Sequence, residues 1–338
     1  WMQLSHAGRQ TPFSINKESR APSVQPLPTL GGILKFGVPK ELSHSDILKI
    51  IDQFVNAAEV AKQTGFTGVQ LHSAHGYLLS EFLSPNVNQR TDEWGGSIEN
   101  RSKLLITTIE AIREKVGSNF PISIKLNSSD FQKGGFSHEE SIEVAKILNN
   151  TSLDLLEISG GTYENFTALE IDSLNLKKAK TIKPQRSTKV REAYFLKYAE
   201  AIKEVISIPL AVTGGFRSTE GMNYALQSGA CDVIGLGRPL CSEPDLVNEL
   251  ISGEKKSATL YENMLEFGPW ILGLNSPISL MRSNNKAAQV YWCYRQILKI
   301  ADGNEVDTKL GLFKAFLDHF RDDSANSKKY KAFWKDLY

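Results

Sequence analysis

Two histidines and a tyrosine, His72, His75 and Tyr77, fall within six consecutive positions where an apolar run meets a loop, in VQLHSAHGYLLS. A neutral imidazole carries one N–H donor and a phenol carries a transferable proton, so this trio could hold a carbonyl oxygen and protonate a nearby carbon. The other reading is a pair of satisfied structural histidines in a turn; the Gly76-Tyr77 continuation favours chemistry. A second group lies in LAVTGGFRS and CDVIGLGRPL. Gly214, Gly215 and Gly237 each follow an apolar run and precede a helical one, so their backbone N–H groups could approach a phosphate at the favourable end of a helix. Arg238 adds a guanidinium able to grip two oxygens. The pattern points to a phosphorylated cofactor, against tight turns with a structural arginine. Lys125 closes a further apolar run, where a cation could stabilise developing negative charge or pair with Glu157.

Strands must position these residues. Apolar runs at about 1–5, 68–72, 121–127, 154–159, 208–213 and 232–236 read as six strands. Helical spacing fills the intervals at 45–63, 97–116, 138–149, 191–205 and 218–228, with Ser97 as a cap and Gly117 as a stop. In PISIKLN, Ile122, Ile124 and Leu126 share one face while Ser123, Lys125 and Asn127 share the other. Val69 and Leu71 oppose Gln70 and His72 in the same way, and Met2 and Leu4 oppose Gln3. One greasy and one polar face per strand is the pattern of a (β/α)8 TIM barrel, whose inward residues near the strand ends form the site at the C-terminal mouth. An open doubly wound sheet would show more continuously apolar strands. The barrel domain is expected to span 1–254, followed by a helical, aromatic-rich extension over 255–338 with a solvated link at DDSANSKKYK. Two excursions, 9–42 and 160–190, are long enough to shape a pocket.

Composition narrows the partners. The 338 residues are 41% hydrophobic and carry a net charge of +1, which gives no basic field for nucleic acid or an anionic membrane. Cys231, Cys241 and Cys293 form no CxxC pair, so neither a metal site nor a disulfide framework is expected, and the thiols read as reduced. No apolar run reaches the roughly 18 residues of a membrane span, and the start lacks a signal-peptide pattern, so a cytoplasmic location is expected.

The stretch 69–101 closely resembles the signature of the Old Yellow Enzyme family of flavin-dependent ene-reductases: HxAHGYL, then FLSP, then N-x-R-x-D, then GGS-x-ENR. The resemblance covers residues 1 to about 252. The opening QLSHAGR is similar to the family's third strand, which implies a barrel lacking its first two βα units, with six strands readable. It further implies bound flavin mononucleotide (FMN), with NADH or NADPH as hydride donor. The substrate class is an activated alkene, a small α,β-unsaturated carbonyl compound, with His72 and His75 on its oxygen and Tyr77 as proton donor. Gln3 matches the glutamine that hydrogen-bonds the flavin ring, Lys125 stands where the family places Arg or Lys, and Gly214, Gly215, Gly237 and Arg238 match its phosphate site. Some relatives have Asn in place of the second histidine. His6 and Arg9 read as structural, and Asp92, Glu93, Arg101 and Arg217 as loop and cap residues. The alternative function is a truncated, non-catalytic member unable to hold flavin; a homo-oligomer is left open.

Overall fold

The period-two alternation builds one parallel sheet. The computed structural model describes residues 1–28, 35–161 and 195–337. Its strands are β1 (Met2–Leu4), β2 (Glu18–Ala21), β3 (Val38–Glu41), β4 (Val69–Ser73), β5 (Ile122–Asn127), β6 (Leu155–Ser159), β7 (Leu210–Thr213) and β8 (Val233–Gly235). The six expected strands pair in the order β1-β4-β5-β6-β7-β8, all parallel. Because each strand pairs with the next and the order never reverses, this is the winding of a barrel wall rather than of a doubly wound sheet. Among the described residues β1 and β8 are its two edges, and the wall is not closed.

Val69, Leu71, Ile122, Ile124, Leu126, Leu156, Ile158, Leu210 and Val212 all lie on the apolar face, and all are fully buried. Each such side chain contributes roughly 1.5–3 kcal/mol through burial. Helix α1 (His44–Gln63) buries the stripe Ile47, Ile50, Ile51, Phe54 and Ala58 and starts at a reciprocal cap between Ser43 and Asp46. The short α2 (Leu78–Leu83) follows β4 directly. Helix α3 (Ile98–Val116) starts at Ser97, whose Oγ accepts the Asn100 N–H, and stops at Gly117. Helix α4 (His138–Leu148) repeats the cap with Ser137 and Glu140, and α5 (Leu196–Lys203) follows β6 in the described chain. Helix α1 packs on α3, α3 on α4 and α4 on α5.

The excursion over 9–42 contains what alternation did not foretell, a small parallel pair in which Glu18 to Ala21 face Val38 to Glu41. The expected excursion at 160–190 and the start of the helix expected from 191 lie outside the described residues from position 162 to 194.

The chain forms two compact units. The first holds Trp1–Pro28, Phe36–Gly215 and Asn223–Gly235, and so the whole six-stranded wall. The second holds residues 216–222 and the chain from Leu236 onward. Helix α6 (Thr219–Gln227) begins in this second stretch. Also in the second unit are α7 (Arg238–Ser242), α8 (Leu246–Ser252), α9 (Ser279–Ala301) and α10 (Leu312–Leu337). Ala288, Trp292, Leu310, Leu312 and Ala315 form a core there, with the Trp292 indole N–H donating to the Leu310 carbonyl at 2.9 Å. DDSANSKKYK lies inside α10 instead of linking two segments. It has neither Gly nor Pro to break a helix, and although most of it is exposed, Ser327 is buried and Asp322 pairs with Arg295 of α9.

Candidate active site

Three backbone facts place the histidines. His72 is on the last turn of pleat in β4, while His75 sits in the following turn at φ 60, a left-handed conformation that costs a non-glycine residue energy. The neighbours supply compensation. The His75 N–H donates to Asn127 Oδ1 at 3.2 Å and its carbonyl accepts from Gln10 Nε2 at 2.8 Å. Asn127 spends its amide N–H groups on Asp130 Oδ1 (2.9 Å) and the Gly161 carbonyl (3.1 Å), which leaves Oδ1 to receive the turn.

The imidazoles are connected in a definite order. The Ala74 N–H donates to His72 Nδ1 at 3.3 Å, so that nitrogen is an acceptor and the His72 proton belongs on Nε2. His72 Nε2 lies 3.2 Å from His75 Nδ1, which must then accept. The His75 proton therefore sits on Nε2, 2.8 Å from Ser159 Oγ. The Tyr77 ring stands edge-on to His72, with centroids 4.9 Å apart, and the residue itself precedes α2 as its N-cap. Burial pushes His72 down to about 4, with the Lys125 charge adding to it. Burial likewise pushes His75 down to about 3, helped by His72 and Lys125. Both rings are neutral donors at physiological pH.

The polar face of the wall carries a second connected set. Gln3 Nε2 donates to Gln70 Oε1 at 2.7 Å, and Gln70 Nε2 donates to Glu157 Oε2 at 2.7 Å. The other Glu157 oxygen accepts from Thr213 Oγ1 and lies 3.0 Å from Lys125 Nζ. Lys125 is thus paired with Glu157, the partner that strand alternation had offered it. Gln70, Ser159 and Thr213 were not singled out from the sequence, although all three share the inward parity of Gln3, His72 and Lys125. Gly214 and Gly215 follow Thr213 at φ 140 and φ 82, backbone values that favour glycine.

In the second unit Gly237 is the N-cap of α7 and Arg238 its first residue. Arg217 pairs with Glu262 at 2.6 Å. In the first unit Asp92 holds Arg90, Glu93 holds Lys103, and Arg101 binds the Leu83 carbonyl and Glu140, so these charges organise loops. The Arg9 N–H donates to Glu81 and the His6 ring accepts the Gly8 N–H, which fixes the turn beside α2.

Residues 1–257 match the model of the NADH:flavin oxidoreductase / NADH oxidase family. The chain belongs to that family. It is an oxidoreductase family served by FMN and NAD(P)H. An NADH-dependent flavin oxidoreductase of Aspergillus parasiticus is 40% identical over 259 residues, 76% of this chain and 55% of that protein. Another, of Hypocrea jecorina, is 34% identical over 291 residues, 80% of this chain and 69% of that protein. The structure of an old yellow enzyme homologue from Zymomonas mobilis matches with a TM-score of 0.59 at 26% identity, over 82% of this chain and 73% of that one. Three of the curated relatives are matched over 38%, 55% and 62% of their own length, so the chain spans about half of such proteins. No helix among the described residues is long and apolar enough to cross a membrane.

Proposed function

We propose that this chain reduces the C=C bond of small α,β-unsaturated carbonyl compounds, using FMN and hydride from NAD(P)H. The observation that carries the reading is the neutral, hydrogen-bonded imidazole pair beside Tyr77 at the end of β4. FMN, held by Gln3 and Lys125 on the polar face of the wall, would supply the hydride chemistry that links the nicotinamide to the alkene carbon β to the carbonyl. The residues present fit such a group. The Gln3 amide and the Lys125 side chain occupy one polar face, and Gly214 and Gly215 at the end of β7 have positive φ and no side chain. The phosphate roles of Gly214, Gly215, Gly237 and Arg238 rest on the sequence motif. The relatives' names favour NADH as the donor.

The substrate oxygen would accept from His72 Nε2–H and His75 Nε2–H. Both protons now point at protein partners, His75 Nδ1 and Ser159 Oγ, so an entering carbonyl replaces those contacts with stronger ones as enolate charge builds. Low pKa values suit this role, because a neutral ring donates without becoming a competing acid. Tyr77 would give its phenolic proton to the carbon α to the carbonyl.

The full chain, purified with added FMN, should show a flavin spectrum that NADH bleaches and cyclohexenone restores under argon. A chain that stays colourless with added FMN supports the non-catalytic alternative. A flavin-loaded chain that bleaches but is restored by no activated alkene refutes the proposed substrate class.

A further inference from the structure

The amides on the polar face of the wall are connected in one direction only. Glu157 pairs with Lys125 at 3.0 Å, and a carboxylate offers acceptors alone. Its Oε1, which faces Lys125, also takes the Thr213 hydroxyl. Its Oε2 receives the Gln70 Nε2–H at 2.7 Å. With Nε2 committed to the carboxylate, Gln70 has its Oε1 on the other side, where it accepts from Gln3 Nε2 at 2.7 Å.

The row crosses the sheet from β1 to β7. Gln3 and Gln70 are register partners on β1 and β4. Between Gln70 and Glu157 lies β5, whose residue opposite Gln70 is the small, buried Ser123, with its own Oγ donating to the Val69 carbonyl. Each amide therefore has its orientation set by a neighbour, and the order starts at a charged acceptor that cannot reverse it. At the far end of the row Gln3 keeps its Oε1 and one N–H, and neither is bonded among the described residues.

We propose that Gln70 and Glu157 are positioning residues that fix the Gln3 amide with an acceptor beside a donor, a pair that recognises an imide edge, an N–H next to a carbonyl. In oxidised FMN the ring has a single N–H, at N3, between two carbonyls. The assignment rests on the flavin reading for its ligand; it adds which Gln3 atom meets the ring N–H and why the amide keeps that orientation. Turning Gln3 over would set its Oε1 against Gln70 Oε1, two acceptors with no proton between them. Without Gln70, the Gln3 amide could present either end.

The test compares FMN with 3-methyl-FMN, in which a methyl replaces the N3 proton, by quenching of flavin fluorescence on titration with the full chain. The wild-type chain should bind FMN about tenfold or more tightly than the methylated form, because the methyl faces an acceptor that cannot turn away. Gln70→Leu should narrow that preference roughly three- to tenfold, the worth of one neutral hydrogen bond, since the released Gln3 amide can offer its N–H to a ring carbonyl instead. Glu157→Gln should narrow it too, because an amide there can donate to Gln70 and reverse the row. The bulk of the methyl and the lost charge act alike on compared pairs and cancel in the ratios. Equal binding of the two flavins by the wild type, or a preference unchanged in both variants, overturns the assignment and leaves the flavin reading in place. Failure to bind either flavin overturns both. The wild-type comparison needs no variant to fold.

Discussion

Replacing His75 with Asn should remove a specific share of the chain's sensitivity to mild acid. Asn is the natural choice for a site at φ 60, because Asn is among the few residues that tolerate the left-handed region. It also retains an amide N–H in place of the imidazole donor. His75 is held at about 3 in the folded chain against 6.5 when unperturbed, first by burial and then by His72 and Lys125. The unfolded chain therefore binds the proton more readily, and stability must rise with pH between those two values. Stability is complete above pH 6.5, declines as pH falls, and levels off once the folded ring also protonates near pH 3. At pH 5 the unfolded ring is almost wholly protonated and the folded one almost wholly neutral. The resulting loss is about 2 kcal/mol, against about 0.2 kcal/mol at pH 7. This difference depends on the unfolded value and hardly at all on whether the folded value is 3 or 4.

The assay is urea denaturation of the wild type and the variant at pH 7 and pH 5, at one fixed FMN concentration, followed by circular dichroism. Losing the Ser159 contact lowers the variant's stability at both pH values, so only the change between them is informative. The wild type should lose about 2 kcal/mol more than the variant on acidification. His72, pushed down to about 4, continues to titrate in both proteins and cancels in the comparison. Equal losses would refute the inference that His75 is a neutral ring held by burial.

Other residues give sharper chemical readouts. Glu157→Gln removes a negative charge 3.0 Å from Lys125, so the flavin midpoint potential should become more positive by tens of millivolts in a dye-coupled reductive titration, and an unchanged potential would place the pair away from the flavin. Tyr77→Phe should slow reoxidation by cyclohexenone by about 10²–10⁴-fold while stopped-flow bleaching by NADH is unaltered; slowing of both steps alike would deny Tyr77 the proton. Gly8→Ala places a Cβ 2.2 Å from Glu81 Oε1 in a backbone at φ 57, and should cost about 2 kcal/mol or more in the denaturation midpoint.

The wall was legible because its residues obey one rule. Strand after strand, apolar side chains alternate with polar ones, and Gln3, Gln70, His72, Lys125 and Glu157 fall on the same parity before any contact is known. The pair β2 and β3 was hidden because ESRA and VPKE have no such alternation and include Pro39; their pairing follows from backbone partners that side chains do not announce. The middle of α10 was hidden for the opposite reason, since ten mostly polar residues without an apolar stripe look like solvated chain. Within the site, the residues could be read but their protons could not. The order from the Ala74 N–H through His72 and His75 to Ser159 depends on one backbone amide reaching one ring nitrogen, a matter of coordinates rather than of residue types.

That order bears on how the site balances charge. His72, Lys125 and Glu157 are consecutive partners across β4, β5 and β6, on one rung of the sheet. Neighbouring parallel strands are only about 4.8 Å apart, so these three side chains stand within reach of one another. Burial first and the Lys125 charge second disfavour a proton on His72, which keeps the ring a neutral donor, and the Glu157 carboxylate pairs with Lys125 at 3.0 Å. Removing the lysine would lift the lesser of the two influences that hold His72 neutral and leave Glu157 without its cation, while removing the carboxylate would leave the lysine to act on whatever negative charge the site next acquires. A rung arranged in this way is electrically quiet at rest, and an anion forming beside Lys125 would be drawn by the ammonium against the opposition of Glu157, so the balance of that pair sets how far negative charge there is stabilised.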